Sequence, residues 1–116
     1  MSTTIYHNPK CGTSRTVLEN LRAAGIEPVV VEYLKNPPSR QTLAGLIRQS
    51  GLTVREAMRD KEAVYAELGL DNPDLSDDQL LDAMLENPIL INRPFVTTPK
   101  GSRLCRPAEK LQEILP

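Results

Sequence analysis

Residues 3–33, TTIYHNPKCGTSRTVLENLRAAGIEPVVVEY, decide the fold of this chain. Residues 3–7 are β-branched and aromatic and predict a strand, and residues 8–13 contain the proline and glycine of a turn. Apolar side chains then recur at helical spacing, and Gly25 predicts the end of that helix. Residues 29–31 are three consecutive valines, a run typical of a strand buried on both faces of a parallel sheet. The stretch therefore predicts a β-α-β unit.

Beyond this unit the hydrophobic pattern takes a helical period. It indicates a helical insert over about residues 37–87, with Ser39 as the N-cap of its first helix. Two capping boxes, Thr53-x-x-Glu56 and Ser76-x-x-Gln79, predict two further helix starts inside the insert. The insert separates the β-α-β unit from the last third of the chain.

The last third of the chain returns to strand and turn patterns. Residues 89–91 and 95–98 predict strand, interrupted by Arg93-Pro94, and residues 104–105 belong to a short return strand. Arg106-Pro107 is expected to open a final helix, because proline fits the first turn. The predicted order is βαβ and then ββα around a helical insert. This order is typical of an α/β protein with a thioredoxin-like mixed sheet.

Composition narrows the class of protein. A chain of 116 residues suits one compact domain, and we expect a single domain over residues 1–116. Hydrophobic residues make up 40% and charged residues 25%, a globular mixture that excludes disordered and fibrous classes. The net charge of -1 gives no bulk field for nucleic acid or anionic membranes. Without a membrane-length apolar run or a secretory leader, we expect a cytoplasmic protein with no nucleic-acid or membrane partner.

Cys11 is the first candidate for chemistry. It lies just before the first predicted helix, where unpaired N–H groups and the helix dipole favour a thiolate or a bound oxyanion. His7, as an imidazolium, would favour the thiolate further. The alternatives are a small buried cysteine and a structural histidine. Cys11 and Cys105 are too few for a disulfide framework or a four-ligand zinc site, so no metal is expected. Ser14 stands where a dithiol motif needs its second cysteine, so any adduct must be resolved from outside this loop.

The arginines form the second group of candidates. Arg55 and Arg59 are expected one helical turn apart, and Arg93, Arg103 and Arg106 cluster in the C-terminal hairpin region. A planar guanidinium matches a tetrahedral oxyanion bidentately. Solvated surface charge is the alternative for each of them. Arg93 stands out because it precedes a proline, and in thioredoxin-like folds an X-Pro bond at this place is usually cis and faces the active cysteine.

Several specific segments of the chain resemble one family. They are IYHNPKCGTSR (residues 5–15), YLKNPPSR (33–40), ELGL (67–70) and ENPILINRPFVTTPKGSRLCRP (86–107). Together they resemble arsenate reductases of the glutathione/glutaredoxin-coupled type, essentially from end to end. The resemblance implies a thioredoxin-like fold with a helical insert.

The resemblance also implies site residues and partners. Cys11 would be the nucleophile and His7 would help to keep it ionised. Arg59, Arg93 and Arg106 match the family's three oxyanion-binding arginines, and Ser14 matches a serine near the cysteine that we assign to substrate binding. The implied reaction is reduction of arsenate to arsenite through a covalent adduct of the cysteine with arsenic. Glutathione would be the co-substrate and glutaredoxin the partner, with no tightly bound cofactor.

Two other functions remain open at this stage. A general glutathione-dependent monothiol oxidoreductase also has a Cys-Gly-x-Ser loop, but it would not need three arginines around the sulfur. A non-enzymatic thioredoxin-like regulator that binds RNA polymerase typically uses a Cys-x-x-Cys switch, which Ser14 removes here. Dependence on an oxyanion separates the arsenate reductase from the monothiol oxidoreductase.

Overall fold

The computed structural model describes residues 2–116. Within that range the strands and α-helices are β1 (Thr4–His7), α1 (Gly12–Ala23), β2 (Val29–Glu32), α2 (Arg40–Gln49), α3 (Ala63–Glu67), α4 (Asp77–Glu86), β3 (Phe95–Thr98) and β4 (Gly101–Leu104). Short 3₁₀ helices cover Arg55–Ala57, Pro88–Leu90 and Ala108–Glu113. The helices from α2 to α4 follow β2 and precede β3, as the predicted insert requires.

The four strands form one mixed sheet in the order β2-β1-β3-β4. β1 runs parallel to β2 and antiparallel to β3, and β3 and β4 form an antiparallel hairpin. The parallel pair is joined by α1, and Gly25, with φ of 81°, ends the turn after that helix in a conformation that glycine adopts without strain. The predicted βαβ-then-ββα order is therefore confirmed.

Each face of the sheet is covered by its own apolar cluster. Neighbouring residues of β3 serve opposite faces, because side chains alternate along a strand. Val96 packs on the side of α1 and the last 3₁₀ helix, in the cluster Ile5, Val17, Leu21, Val96, Cys105, Leu111 and Ile114. Phe95 packs on the side of the insert, in a larger cluster that includes Leu43, Leu46, Leu80, Met84 and Leu90. The sheet is thus the middle layer of three.

The predicted helix caps are present. Ser39 accepts a hydrogen bond from the Thr42 backbone N–H at the start of α2. At the start of α4 the Ser76–Gln79 capping box is complete in both directions. The Thr53–Glu56 box also forms, with bonds of 2.9 and 3.1 Å, but it opens only the 3₁₀ turn Arg55–Ala57.

The prediction that residues 29–31 form a strand buried on both faces is wrong. β2 lies at the edge of the sheet, and Val29 and Val30 are 53% and 37% exposed. Valine fits any pleated strand, so a run of valines identifies the strand without fixing its depth in the sheet.

The prediction of strand at residues 89–91 is also wrong. Pro88 starts a 3₁₀ turn in which the Leu90 N–H donates to the Asn87 carbonyl at 2.9 Å. Ile91 then makes an isolated antiparallel bridge with Met58. The segment is tied to the insert rather than to the sheet.

The final helix is shorter and tighter than predicted. It is the 3₁₀ helix Ala108–Glu113, and Pro107 is its N-cap. Leu111 and Ile114 are fully buried, as the helical spacing predicted. Over the residues that the structure describes, no helix is long and apolar enough to cross a membrane.

Candidate active site

Cys11 is half-buried at the N-cap of α1. Its N–H donates to the Asn8 carbonyl at 3.0 Å, which closes the turn between β1 and the helix. Burial by itself raises the pKa of the Cys11 thiol. Hydrogen bonds from the Ser14 backbone N–H and from the Arg106 and Arg93 guanidinium groups outweigh it, and the pKa falls below its ordinary value. The site therefore favours the nucleophilic thiolate.

His7 contacts the loop through Ser14. The imidazole Nδ1 lies 2.6 Å from the Ser14 hydroxyl, and the ring is 6% exposed. Burial lowers the pKa of His7, although the nearby Glu32 carboxylate opposes that shift. The lowered pKa favours a neutral imidazole, in contrast to the imidazolium expected from the sequence. The structure therefore gives His7 a part in positioning the loop.

The Ser14 hydroxyl is directed into the protein. It is fully buried, and it accepts a 3.1 Å hydrogen bond from the Asn8 N–H besides its contact with His7. This placement does not agree with the expectation that the hydroxyl binds substrate. The backbone N–H of Ser14, rather than its hydroxyl, is the part of this residue that lowers the pKa of Cys11.

Arg106 reaches the sulfur directly. Its Nη1 lies 3.7 Å from Cys11 Sγ and also donates to the Arg93 carbonyl at 3.3 Å. These contacts link the segment after β4 to the loop before α1, across 95 positions of the chain. Arg106 is thus held at the reactive atom by the fold and by the backbone of Arg93.

Arg93 is the most buried of the candidate arginines, with a side chain only 8% exposed. Its Nη1 donates to the Ile89 carbonyl at 3.2 Å, while its Nε is buried without a hydrogen-bond partner. A buried donor without a partner carries a desolvation cost of about 1–3 kcal/mol. The peptide bonds before Pro94 and Pro107 are both cis.

Arg59 lies at the edge of the same region. Its backbone N–H donates to the Leu90 carbonyl at 2.7 Å, which fixes the insert next to the Arg93 segment. Its Nε makes a 2.7 Å ion pair with Glu62.

Two other arginines are placed elsewhere. Arg55 does not share a helical turn with Arg59, because the 3₁₀ helix ends at Ala57 and Met58 is extended. Arg55 instead donates to the backbone carbonyl of Leu70 at 2.7 Å. Arg103 pairs with Glu113 at 2.9 Å in an exposed ion pair on the β4 side. The expected spacing of Arg55 and Arg59 is therefore wrong, and neither Arg55 nor Arg103 joins the group around Cys11.

Sequence reasoning missed two neighbours of this site, Tyr33 and Glu62. Tyr33 is 1% exposed, and burial raises the pKa of its hydroxyl while the Arg93 guanidinium opposes that shift. The position of Tyr33 directly after β2 could have indicated that it lies near the site, because the carboxyl ends of the parallel strands β1 and β2 lie at the same edge of the sheet. Glu62 had a weaker signal, its position three residues after Arg59.

Cys105 is remote from this chemistry. It is fully buried in the apolar cluster on the α1 side, and burial raises the pKa of its thiol to about 12. Cys11 and Cys105 are both free thiols. Among residues 2–116, no three His, Cys, Asp or Glu side chains are grouped so that they could hold a metal ion.

The sheet and the site define a thioredoxin-like α/β protein with one activated thiol beside a buried arginine, Arg93, and an exposed one, Arg106. Comparison with known proteins extends this class. The ArsC family matches residues 6–114, and the chain belongs to the ArsC family. The thioredoxin-like fold expected from the element order is confirmed by the solved structures of that family's members.

Three similar proteins illustrate the match. The arsenate reductase of Rhizobium meliloti (strain 1021) is 65% identical over 116 residues, which is 100% of this chain and 83% of that protein. An arsenate reductase of Escherichia coli is 56% identical over 113 residues, covering 97% of this chain and 80% of its own length. The structure of an arsenate reductase from Vibrio cholerae superposes with a TM-score of 0.94 and 49% identity, covering 99% of this chain and 98% of that one.

Proposed function

We propose that this protein reduces arsenate to arsenite through a covalent Cys11–arsenic adduct, with glutathione and glutaredoxin as the reductants. One observation carries the proposal. The sulfur of Cys11 is contacted by Arg106, which also donates to the backbone carbonyl of Arg93, and the Arg93 guanidinium helps to lower the pKa of the thiol. A thiolate and an anion-sized set of donors are thus placed together. The arsenate reductases that resemble this chain support the choice of substrate.

Charge is the main obstacle to the first step. Arsenate is a tetrahedral anion, and it must approach a second anion, the Cys11 thiolate. Three guanidinium groups, those of Arg59, Arg93 and Arg106, supply the local positive charge that a chain of net charge -1 lacks overall. Their planar donors also orient the oxygens of the substrate.

The reaction conserves atoms and electrons in three steps. The Cys11 thiolate attacks arsenic, an S–As bond forms, and one arsenic–oxygen bond breaks as that oxygen leaves as water after protonation. Glutathione then attacks the adduct, and arsenic gains two electrons as the thiols of glutathione and glutaredoxin become a mixed disulfide. Hydrolysis of the remaining S–As bond frees arsenite and the Cys11 thiol. Neither a second thiol of this chain nor a tightly bound cofactor is needed.

The surrounding residues keep the loop in this state. His7 acts through the Ser14 hydroxyl, and Ser14 directs its N–H to the sulfur. Two free thiols suit a reducing compartment, and we place the reaction in the cytoplasm.

The test compares two cysteine variants, with arsenite formation measured in the presence of arsenate, glutathione and glutaredoxin. Cys11→Ser should abolish turnover, because a hydroxyl at this position remains protonated and is a poor nucleophile. Cys105→Ala is the matched control, and it should retain most of the activity at some loss of stability. Turnover by Cys11→Ser, or an inactive Cys105→Ala protein with a Cys11–Cys105 disulfide in the wild type, would contradict the mechanism.

A general glutathione-dependent monothiol oxidoreductase is the second candidate. It is favoured by the half-buried, activated Cys11, which has Ser14 in place of a second thiol. The guanidinium groups at the sulfur of Cys11 argue against it, because the reacting sulfur atoms of a disulfide carry no oxygens for these donors to bind. This candidate predicts rapid reduction of a glutathione mixed disulfide without arsenate, and the arsenate reductase does not.

A further inference from the structure

Glu62 is a carboxylate inside the group of arginines. Its Oε2 lies 2.7 Å from Arg59 Nε and 4.0 Å from Arg93 Nη2. The Glu62 side chain is 25% exposed, so the pair is screened less than one on the open surface. A protein anion therefore faces two of the three guanidinium groups to which the proposed function assigns the substrate.

The local structure gives Glu62 no other task. The residue is the N-cap of α3, a position where a side-chain oxygen commonly accepts a backbone N–H. In this chain the Glu62 side chain makes no such cap bond. It is directed at Arg59 instead.

The Glu62 carboxylate lies too far from Arg93 for a hydrogen bond but close enough to act on its charge. At 4.0 Å, the Glu62 carboxylate lowers the positive potential at Arg93 without making a hydrogen bond. The buried Nε of Arg93 consequently stays without an acceptor. Arg93 Nη2 therefore makes no hydrogen bond to Glu62 and can donate to an oxyanion, while part of the positive charge of Arg93 is already balanced.

We propose that Glu62 is an internal competitor of the substrate oxyanion, and that it sets the affinity and charge selectivity of the arginine site. The proposal rests on the proposed function, because it takes these arginines to be the oxyanion site. A bound oxyanion shares Arg59 and Arg93 with the Glu62 carboxylate and is repelled by it. The repulsion is larger for a dianion than for a monoanion, so Glu62 weakens binding and favours release.

The alternative is that Glu62 only holds Arg59 in position. The two roles predict opposite changes in affinity. If Glu62 competes, neutralising it strengthens oxyanion binding. If it only positions Arg59, neutralising it leaves Arg59 less ordered and weakens binding.

The experiment uses Glu62→Gln, which keeps the shape and an oxygen acceptor for Arg59 Nε. Glu67→Gln is the matched control, because it makes the same change of charge at an exposed position of α3. Inorganic phosphate and sulfate are the probes. Their dissociation constants are obtained from the concentration that protects Cys11 from alkylation in the resting protein. Arsenate turnover then gives KM and kcat separately.

We expect Glu62→Gln to bind phosphate roughly three- to tenfold more tightly than the wild type, as for removal of a like charge in a partly screened site. The gain should be larger for sulfate than for phosphate, because sulfate is a dianion and a substantial share of phosphate is a monoanion at neutral pH. KM for arsenate should fall with kcat equal or lower, and Glu67→Gln should match the wild type in every measurement.

Other results would overturn the inference. Unchanged or weaker protection in Glu62→Gln, with normal protection in the wild type, would leave the proposed function in place and reject only the competitor role. An equal gain in Glu67→Gln would assign the effect to net charge and reject it as well. Absence of protection by either anion in the wild type would reject both this inference and the oxyanion site on which it rests.

Discussion

Hydrogen-bond donors from three segments of the chain offset the free-energy cost of partly burying the charge of the Cys11 thiolate. The helix start supplies the Ser14 N–H, and the region after β4 supplies Arg106, with Arg93 behind it. A helix N-terminus contributes only part of such a shift. The remaining part needs cations fixed by tertiary structure, and both arginines are fixed through backbone contacts.

The loop between β1 and α1 depends on the hydroxyl group of Ser14. Ser14→Ala would leave the His7 ring and the Asn8 N–H without their shared partner in a buried place. We expect a loss of about 1–3 kcal/mol in the free energy of unfolding, measured with urea. In the wild type the alkylation rate of Cys11 against pH should show a pKa below the usual value of about 8.5, and Ser14→Ala should raise it.

Ser50→Ala is the control for this change. The Ser50 hydroxyl is also buried but has no hydrogen-bond partner, so its removal should cost little stability and leave the pKa of Cys11 unchanged. Equal behaviour of the two variants would show that the contacts of the Ser14 hydroxyl do not support the site.

At the scale of elements, the turn Arg55–Ala57 positions the segment that carries Arg59, which follows it after Met58. Glu56 closes this turn with Thr53. The Thr53 backbone N–H, and then the Thr53 hydroxyl, lower the pKa of the Glu56 carboxyl. A lowered pKa in the folded state means that the ionised form stabilises the fold above the unfolded pKa of about 4.3 and loses that contribution as the pH falls.

This turn therefore gives a pH-dependent prediction. Glu56→Gln should be less stable than the wild type at pH 7, and the difference in urea midpoint should shrink as the pH falls below about 4. The difference in urea midpoint between Thr53→Ala and the wild type should also shrink as the pH falls, but less strongly, because this substitution removes only the Thr53 hydroxyl. A difference that stays constant from pH 7 to pH 3 would show that the Glu56 charge does not stabilise the turn.

Elements specified by neighbouring residues could be predicted from the sequence. Ser39 and Ser76 cap their helices through groups three residues away, and Gly25 ends its turn by its own backbone freedom. The depth of β2 could not be predicted, because the packing of distant segments decides which strand lies at the edge. The prediction of a strand at residues 89–91 was wrong for the same reason, because this segment bonds to Met58 and Arg59 of the insert rather than to the sheet.

The candidate site also has a part that neighbouring residues predict and a part that depends on distant ones. The placement of Cys11 at the helix start follows from a local pattern of turn and helix residues. The contact of Arg106 with that sulfur spans 95 positions, and only the resemblance to a family pointed to it. Neither source indicated Glu62, because an acid beside an arginine has no distinct meaning until the fold shows what else lies there.

At the scale of the whole molecule, the nearly neutral chain concentrates positive charge at one place. The sheet brings the end of β1, the start of α1 and the segments on both sides of the β3–β4 hairpin to one edge. Exposed ion pairs such as Arg40 with Asp78 and Asp82 balance charge elsewhere. An anion that binds this group of arginines in the folded state alone therefore stabilises the entire molecule.

This linkage gives the last prediction. An oxyanion at ten times its dissociation constant stabilises the fold by about 1.4 kcal/mol, which raises the Tm of a chain of this size by several degrees. Low millimolar sulfate, compared with chloride at equal ionic strength, should produce this rise in the wild type. Arg93→Lys should lose most of the rise and most of the arsenate turnover, with its own Tm in chloride nearly unchanged, because lysine keeps the charge but not the planar donors.

Arg48→Lys is the control, since Arg48 is exposed on α2 and lies outside the site. It should keep both the sulfate-dependent rise in Tm and the turnover. Arg106→Lys and Arg59→Ala should behave like Arg93→Lys, because each removes guanidinium donors from the group around Cys11. If sulfate raises the Tm of Arg93→Lys as much as that of the wild type, or if turnover falls only in proportion to lost stability, the arginines are surface charges. Equal loss in Arg48→Lys would likewise show that the effect is not specific to the site, because that variant leaves every donor near Cys11 in place.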